Sequence, residues 1–474
     1  MNKIKYTIFG SALVVFCLSF TACDKQLDLA PEDTTVETEV FQSASSAESA
    51  LMDVYNKTYE ANKSTAYTIG DFTTDLLVVH NSYNQTVIAG ELPVDDYTTE
   101  QIWGNSYSAI NVANVIIKSV PELGTYNEDL ENQHVAEAKF LRAYNYLVLL
   151  KLFGDGALTG DFNGLGLPLQ LTPYEGTEYD SGKALTRSSV QEVYLQIITD
   201  LTEALPHLLD NYEEDLETRS RATKGSAHAL LSRVYLYMGD YANAASEAEF
   251  LIGNSNYTLN SDLRSVFPIS SGYDVPLDKE FIYAIPLTFN NGNHQFGTHY
   301  YSYYFKSSYH LADDFIAKYS DTDQRKTSLI WQGYSGGSYG AKLTSSKFNN
   351  SEGRDNIPMI RLSEMYLTRA ECLARTSGVT QEAIDLLNTV ASRADANFSA
   401  YSVSDFTSGT DLVDRILLER EKELCFEGLH RYDLIRTGRK LQYKDLPENR
   451  YVLPIPKREI DITKGSLEQN PGYL

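Results

Sequence analysis

The chain is short of cysteine, tryptophan and positive charge. Its 474 residues include four cysteines and two tryptophans, and 40 Lys and Arg stand against 64 Asp and Glu, a net charge of −24. That balance argues against nucleic acid as a partner, because phosphates demand a basic surface. It suits a protein that must stay soluble outside the cell or at its surface. After residue 23 the cysteines are Cys372 and Cys425, each in a helix-like segment. Two buried thiols are expected there, with a disulfide as the alternative. Neither H-E-x-x-H nor paired cysteines are present, and His294, His299 and His310 are loosely spaced, so no metal or cofactor is expected. "GYSGGSYG" is read as following no strand and opening no helix, so no phosphate cradle is expected, and no G-x-S-x-G nucleophile elbow is read in the chain. Beyond Phe20 no apolar run is long enough to span a membrane.

What the chain does carry begins at its amino terminus. Lys3 and Lys5 precede an apolar stretch, Tyr6 to Phe20, too short to cross a bilayer. The pattern predicts a signal peptide over residues 1–22. Leu18-Ser19-Phe20-Thr21-Ala22-Cys23 is similar to a bacterial lipobox, with Phe20 in place of the usual Leu. Cys23 is then the lipidation site. Each buried acyl methylene contributes about 0.8 kcal/mol, and more than one chain gives stable anchoring. A plain secretory signal is the alternative.

Helical periodicity dominates the rest. Ala136, Phe140, Ala143, Leu147 and Leu150 recur at steps of four and three. Ala227, Leu230, Leu231, Val234 and Tyr237 repeat the pattern. Gly239-Asp240 reads as a helix stop followed by an N-cap, and Tyr241, Ala245, Ala248 and Ile252 continue. This pair is similar to a tetratricopeptide unit. In a second pair, Ile360, Leu367, Ala370 and Ala374 face Ala383, Leu387 and Val390 across a turn at Gly378. Further helices are expected over Arg187 to Leu205, following Thr186, and over Leu412 to Glu427. Phe281 to Leu287 reads as a strand. Long tracts rich in Gly, Ser, Asn and Tyr intervene at 56–107, 154–185 and 254–356. Loops of that length are usually functional.

"LDLAPEDTTVETEVF", "WGNSYSAINVANVII", "EAKFLRAYNYLVLLKLFGD", "GLPL" and "ATKGSAHALLSRVYLYMGDY" follow one another along the chain. "IRLSEMYLTRAECLA", "EREKELCFEGLHRYDLIRTG", "YVLPIPKREI" and "QNPGYL" complete the order. In this the chain resembles the SusD/RagB family of Bacteroidetes outer-membrane nutrient-binding lipoproteins. The resemblance implies a mostly α fold: a tetratricopeptide-like scaffold of helical pairs with loop-rich insertions and a few short strands. It implies one such domain over 23–474, with helical pairs near 130–153, 187–253, 358–395 and 411–427 and ligand-side insertions near 56–107 and 254–356. It also implies an outer-membrane, outward-facing protein that binds oligosaccharide without chemistry. The partner implied is a SusC-type TonB-dependent transporter.

Sugar rings stack on flat aromatic faces while polar side chains bond their hydroxyl rim. His299 to Gly340 is rich in both kinds of group. Trp331 is the leading stacking candidate, with Tyr334, Tyr339, Tyr301 and Tyr304 beside it, although part of the tyrosine set must be packing. Tyr83, Asp75, His80 and Asn81 are expected from the earlier tract. Trp103, at a helix start, is assigned to the core. The charge-dense "EREKELCFEGLHRYDLIR" has enough carboxylates for acid–base catalysis. The reading preferred is structural: Glu427 and Arg431 as an i,i+4 pair, Gly428 ending the helix, and Arg431, Asp433 and Arg436 locking the next turn. Asp321 and Asp323 fail as a calcium loop, since Arg325 stands fifth and no Glu closes it. Peptide binding in the manner of a RagB relative, a glycoside hydrolase and a tetratricopeptide-type interaction scaffold are the competing functions.

Overall fold

The computed structural model describes residues 40–62, 65–79, 92–174, 186–269, 276–286, 309–332, 343–350, 355–441 and 446–474. Helix α1 (Ala44–Asn62) and α2 (Thr65–Phe72) lead into the long hairpin of α3 (Tyr97–Leu123) and α4 (Glu128–Phe153). Asp96 caps α3 and Asn127 caps α4 through their side chains. Each accepts a first-turn N–H that has no helical partner. Helix α4 is buried on nearly every side from Ala136 to Phe153, as expected of a central helix. Trp103 is indeed core, edge-on to Phe153 at 5.1 Å.

From α4 the stack continues through α5 (Val190–Ala204), α6 (Lys224–Met238) and α7 (Tyr241–Ile252) to α8 (Leu362–Ser377), which packs on α9 (Gln381–Ala394) and α10 (Gly409–Leu424). The α6–α7 turn forms as the sequence indicates. Gly239 takes φ +75°, a left-handed conformation that glycine adopts without strain, and Asp240 accepts from Asn243 N. Buried Ala244 lets the helices approach, and Ser232 Oγ donates to its carbonyl at 2.9 Å. A short helix, α11 (His430–Arg436), packs on α2. No helix among the described residues is long and apolar enough to cross a membrane.

Among the described residues, three antiparallel two-stranded ladders accompany the helices. They pair β1 (Leu77–Val79) with β3 (Tyr309–Leu311), β2 (Phe281–Ile285) with β6 (Ile357–Arg361), and β4 (Ile330–Gln332) with β5 (Leu343–Ser345).

Several expectations need correction. Ile360 lies on β6, drawn into the ladder by Tyr283, and is not helical. Helix α5 starts at Val190 and not at Arg187, because Ser189 and Glu192 form a reciprocal capping box there. Helix α10 stops at Leu424 and not at Gly428. There the Lys347 ammonium binds the carbonyls of Glu423 and Cys425 at 2.9 and 3.0 Å. The tracts 56–107 and 254–356 are more than overhanging loops, because Phe72, Tyr283 and Phe315 from them are core residues.

Candidate ligand-binding site

The two tracts meet through β1 and β3. Leu77 opposes Leu311, Val78 opposes His310 and Val79 opposes Tyr309. Side chains alternate as a half-buried strand requires: Tyr309 and Leu311 point inward and His310 is half-buried. The Tyr309 ring meets Phe72 edge-on at 5.4 Å. In an antiparallel pair the chain leaves one strand beside the point where it enters the other. The segment after Val79 and the segment before Tyr309 therefore begin at the same end of the ladder. Strand β3 also lies beside β5. On the β4–β5 hairpin Trp331 pairs with Thr344, and Gln332 with Leu343.

Trp331 thus stands on a strand bordering the ladder. Tyr301, Tyr304, Tyr334, Tyr339, Tyr83, His80, Asn81 and Cys23 lie outside the described residues. "GYSGGSYG" also lies there, but its flanks do not: it directly follows β4, contrary to expectation, and leads into β5. The spelling G-x-S-x-G at 333–337 is therefore set between two strands, whereas a nucleophile elbow requires a helix after the turn. Tyr309 and Tyr319 belong to the packing part of the tyrosine set. Both are buried, and Tyr319 donates its hydroxyl proton to the Lys422 carbonyl at 3.0 Å.

Asp75, at the foot of β1, is half-buried in a charged cluster. His430 Nε2 lies 2.9 Å from Asp75 Oδ1, and Lys318 Nζ lies 3.9 Å from Oδ2. Lys318 also pairs closely with Glu421, which is 4.0 Å from His430. Among the described residues Asp75, Glu421 and His430 could share an ion, their ligand atoms falling within 4.8 Å of one another. Lys318 already faces both carboxylates there, and His430 hydrogen-bonds Asp75. Burial opposes the charge on Asp75, but the His430 hydrogen bond and the Lys318 ammonium outweigh it and hold its pKa low. Burial likewise opposes charge on His430, yet Asp75 and Glu421 raise its pKa. Neither His430 nor Glu421 belongs to a motif that points to Asp75, and only the fold joins them.

Apart from Glu421, the carboxylates of "EREKELCFEG" are committed elsewhere. Glu427 accepts from Arg361 at 2.6 and 2.8 Å and from Lys347 at 2.5 Å. Arg431 instead donates to Thr73 Oγ1 at 2.8 Å and to the Tyr451 carbonyl at 2.5 Å. The expected Glu427–Arg431 pair is thus replaced by longer-range partners. Glu423 faces Arg325, Arg361 and Arg393. Burial would raise its pKa, but Arg393, Arg361 and Arg325 drive it well below the usual range. Asp323 and Glu419 close on Arg325 at 2.7 and 2.6 Å, so the "SDTDQR" segment is structural. Asp433 pairs with Arg420 at 3.1 Å and with Arg436 at 2.6 Å, locking α11 to α10 as the spacing suggests. Glu419, Glu423, Glu427 and Asp433, whose pKa values their cationic partners hold low, are not the raised-pKa acid that glycoside hydrolysis needs.

A family model described as starch-binding and associating with the outer membrane matches residues 25–236, and a SusD family model matches 253–446. The chain belongs to the SusD/RagB family. Its relatives include SusD-like protein P38 of Formosa agariphila, 24% identical with all of both chains covered. The starch-binding protein SusD of Bacteroides thetaiotaomicron is 29% identical over 158 residues, 30% of this chain and 25% of that protein. Among solved structures, a SusD superfamily protein from Bacteroides thetaiotaomicron matches with TM-score 0.80 at 24% identity, covering 90% of this chain and all of that one. A laminarin-binding SusD-like protein matches with TM-score 0.73 at 22% identity, covering 91% and 100%. At that identity the structural matches establish a shared SusD fold.

Proposed function

We propose that this SusD-family chain binds an oligosaccharide at the end of the β1–β3 ladder and does no chemistry on it. The observation that supports this most is the pairing of Val79 with Tyr309. It starts the two polar, aromatic-rich tracts from one place, with Trp331 on the neighbouring hairpin. The family description as starch-binding and the laminarin-binding relative favour glycan over peptide. Tyr334, Tyr339, Tyr301, Tyr304 and Tyr83 supply further ring faces in this reading, while His80, Asn81 and Asp75 supply the polar rim. Cys23 carries the lipid that holds the protein on the outer membrane, facing outward. A SusC-type TonB-dependent transporter receives the ligand.

Calorimetry with starch and laminarin oligosaccharides and a peptide panel tests the proposal. Saturable glycan binding, unchanged glycan after long incubation, and at least tenfold weaker binding by Trp331→Ala are expected. Strong peptide binding with no glycan binding, or glycan cleavage that survives repurification, would overturn it.

A further inference from the structure

The last turn of α4 carries Lys151 into a cavity of about 250 Å³ that shares no residue with the β1–β3 ladder. Asp155, Leu158 and Thr159 line one side, and Ile435, Asn449 and Tyr451 line the other. Leu158 and Ile435 make the floor apolar. The Lys151 ammonium nitrogen rests 4.4 Å from the centre of the Tyr432 ring. Among the described residues it has neither an ion-pair partner nor a hydrogen-bond acceptor.

The charged neighbours explain why. On α8, Glu364 is turned to Arg233 of α6, with contacts of 2.6 and 2.9 Å. Asp155 at the cavity wall interacts with Arg187, and Glu448 stands exposed at the rim. Lys151 is therefore a half-buried cation with no ion-pair partner among the described residues, the cavity's own carboxylates being Asp155, which interacts with Arg187, and Glu448, exposed at the rim. Leaving a buried charge without a counter-charge is costly, and a ligand that brings one relieves that cost. Burial and the Arg233 charge push the amine down to about 7, so the missing counter-charge is felt near neutrality. Pockets for drug-sized ligands run from roughly 300 Å³ upward, and this smaller one suits a single sugar-sized molecule.

We propose that this cavity is a second ligand site, taking a small polyhydroxy acid of uronate type with its carboxylate on Lys151 and its hydroxyls on Thr159, Asn449 and Glu448. A bound carboxylate favours the ammonium form of Lys151. Binding above neutrality then takes up a proton, and affinity falls by about tenfold per pH unit above 7.

The test uses D-glucuronate and D-glucose as probes in calorimetric titrations of the mature chain at pH 6 to 9. Expected are saturable glucuronate binding, glucose at least tenfold weaker, and the stated decline above pH 7. Lys151→Met should lose glucuronate. Lys151→Arg, whose charge does not titrate in this range, should keep it without the pH decline, and serves where the methionine variant fails to fold. Equal affinity for both sugars, equal binding by Lys151→Met, pH-independent affinity in the parent chain, or no glucuronate binding at tens of millimolar would each overturn the proposal.

Discussion

Asp75 and His430, 355 positions apart in the chain, meet at 2.9 Å and tie the foot of β1 to α11. Their pKa shifts have opposite signs. His430 is raised in the fold, so its contribution is complete below about pH 6.5 and is lost as pH rises through the folded value. Asp75 is lowered, so its contribution holds above about pH 4 and is lost as pH falls through the folded value. His430→Gln is expected to cost about 1.5–3 kcal/mol between those limits, the range of a hydrogen bond to a charged group. The difference should shrink at higher pH. Urea unfolding at pH 5, 7 and 9 checks it, and a pH-independent difference would contradict the pairing.

Gly70 of α2 lies against Gly428, where an added Cβ would stand 2.1 Å from the Gly428 carbonyl oxygen. The obstacle is backbone, which cannot swing aside. Gly70→Ala should destabilise the chain by about 1–3 kcal/mol or more, as overpacking does. A thermal melt reads this directly, and an unchanged midpoint would mean that α2 and the turn after α10 are less closely apposed than described.

Arg142 of α4 and Asp200 of α5 form a buried pair at 2.5 and 2.8 Å, and Asn114 of α3 accepts from Arg142 at 2.7 Å. Arg142→Met strands the Asp200 carboxylate and should cost about 3–5 kcal/mol. Replacing both residues, Arg142→Met with Asp200→Leu, should cost less than the single change. Guanidinium unfolding of both variants separates these outcomes.

Asp355 is buried and accepts the backbone N–H groups of Asn349 and Asn350 at 2.9 and 3.0 Å. Burial pushes it up to about 6, against the opposing effect of those bonds. Its folded pKa exceeds the unfolded one, so the fold takes up this proton first. The penalty it imposes at neutral pH is relieved as pH falls through about 6. Asp355→Asn should remove that part of the stability profile between pH 7 and 5, as followed by urea midpoints.

Cys372 and Cys425 are both buried and unbonded. Burial raises their thiols to about 12 and about 11, so little reactive thiolate forms. A chain beginning after Cys23 should be inert to a thiol-reactive disulfide reagent when native and give two thiols in denaturant. Rapid native reaction would refute the burial.

What the sequence discloses is local. Spacing over one or two turns reveals α4, the α6–α7 hairpin, the core position of Trp103 and the strand at Phe281, because each depends on neighbours in the chain. The same local logic misleads at Glu427. Arg431 four positions on looks like its partner, but Lys347 and Arg361 arrive from 80 and 66 positions away. Ile360 fits a helical stripe until Tyr283 recruits it into a ladder. At the candidate site Asp75 was legible as a polar residue in a loop-rich tract. Its partners His430, Glu421 and Lys318 were not, since no periodicity spans such separations.

The β1–β3 ladder has a consequence for biogenesis. Its two strands, 77–79 and 309–311, come from distant parts of the translation product. A ribosome-bound or secretion-stalled fragment ending before residue 309 lacks one edge of the ladder, so the ladder cannot form. The binding proposed at its end then requires that both lengths of polypeptide have emerged and found each other.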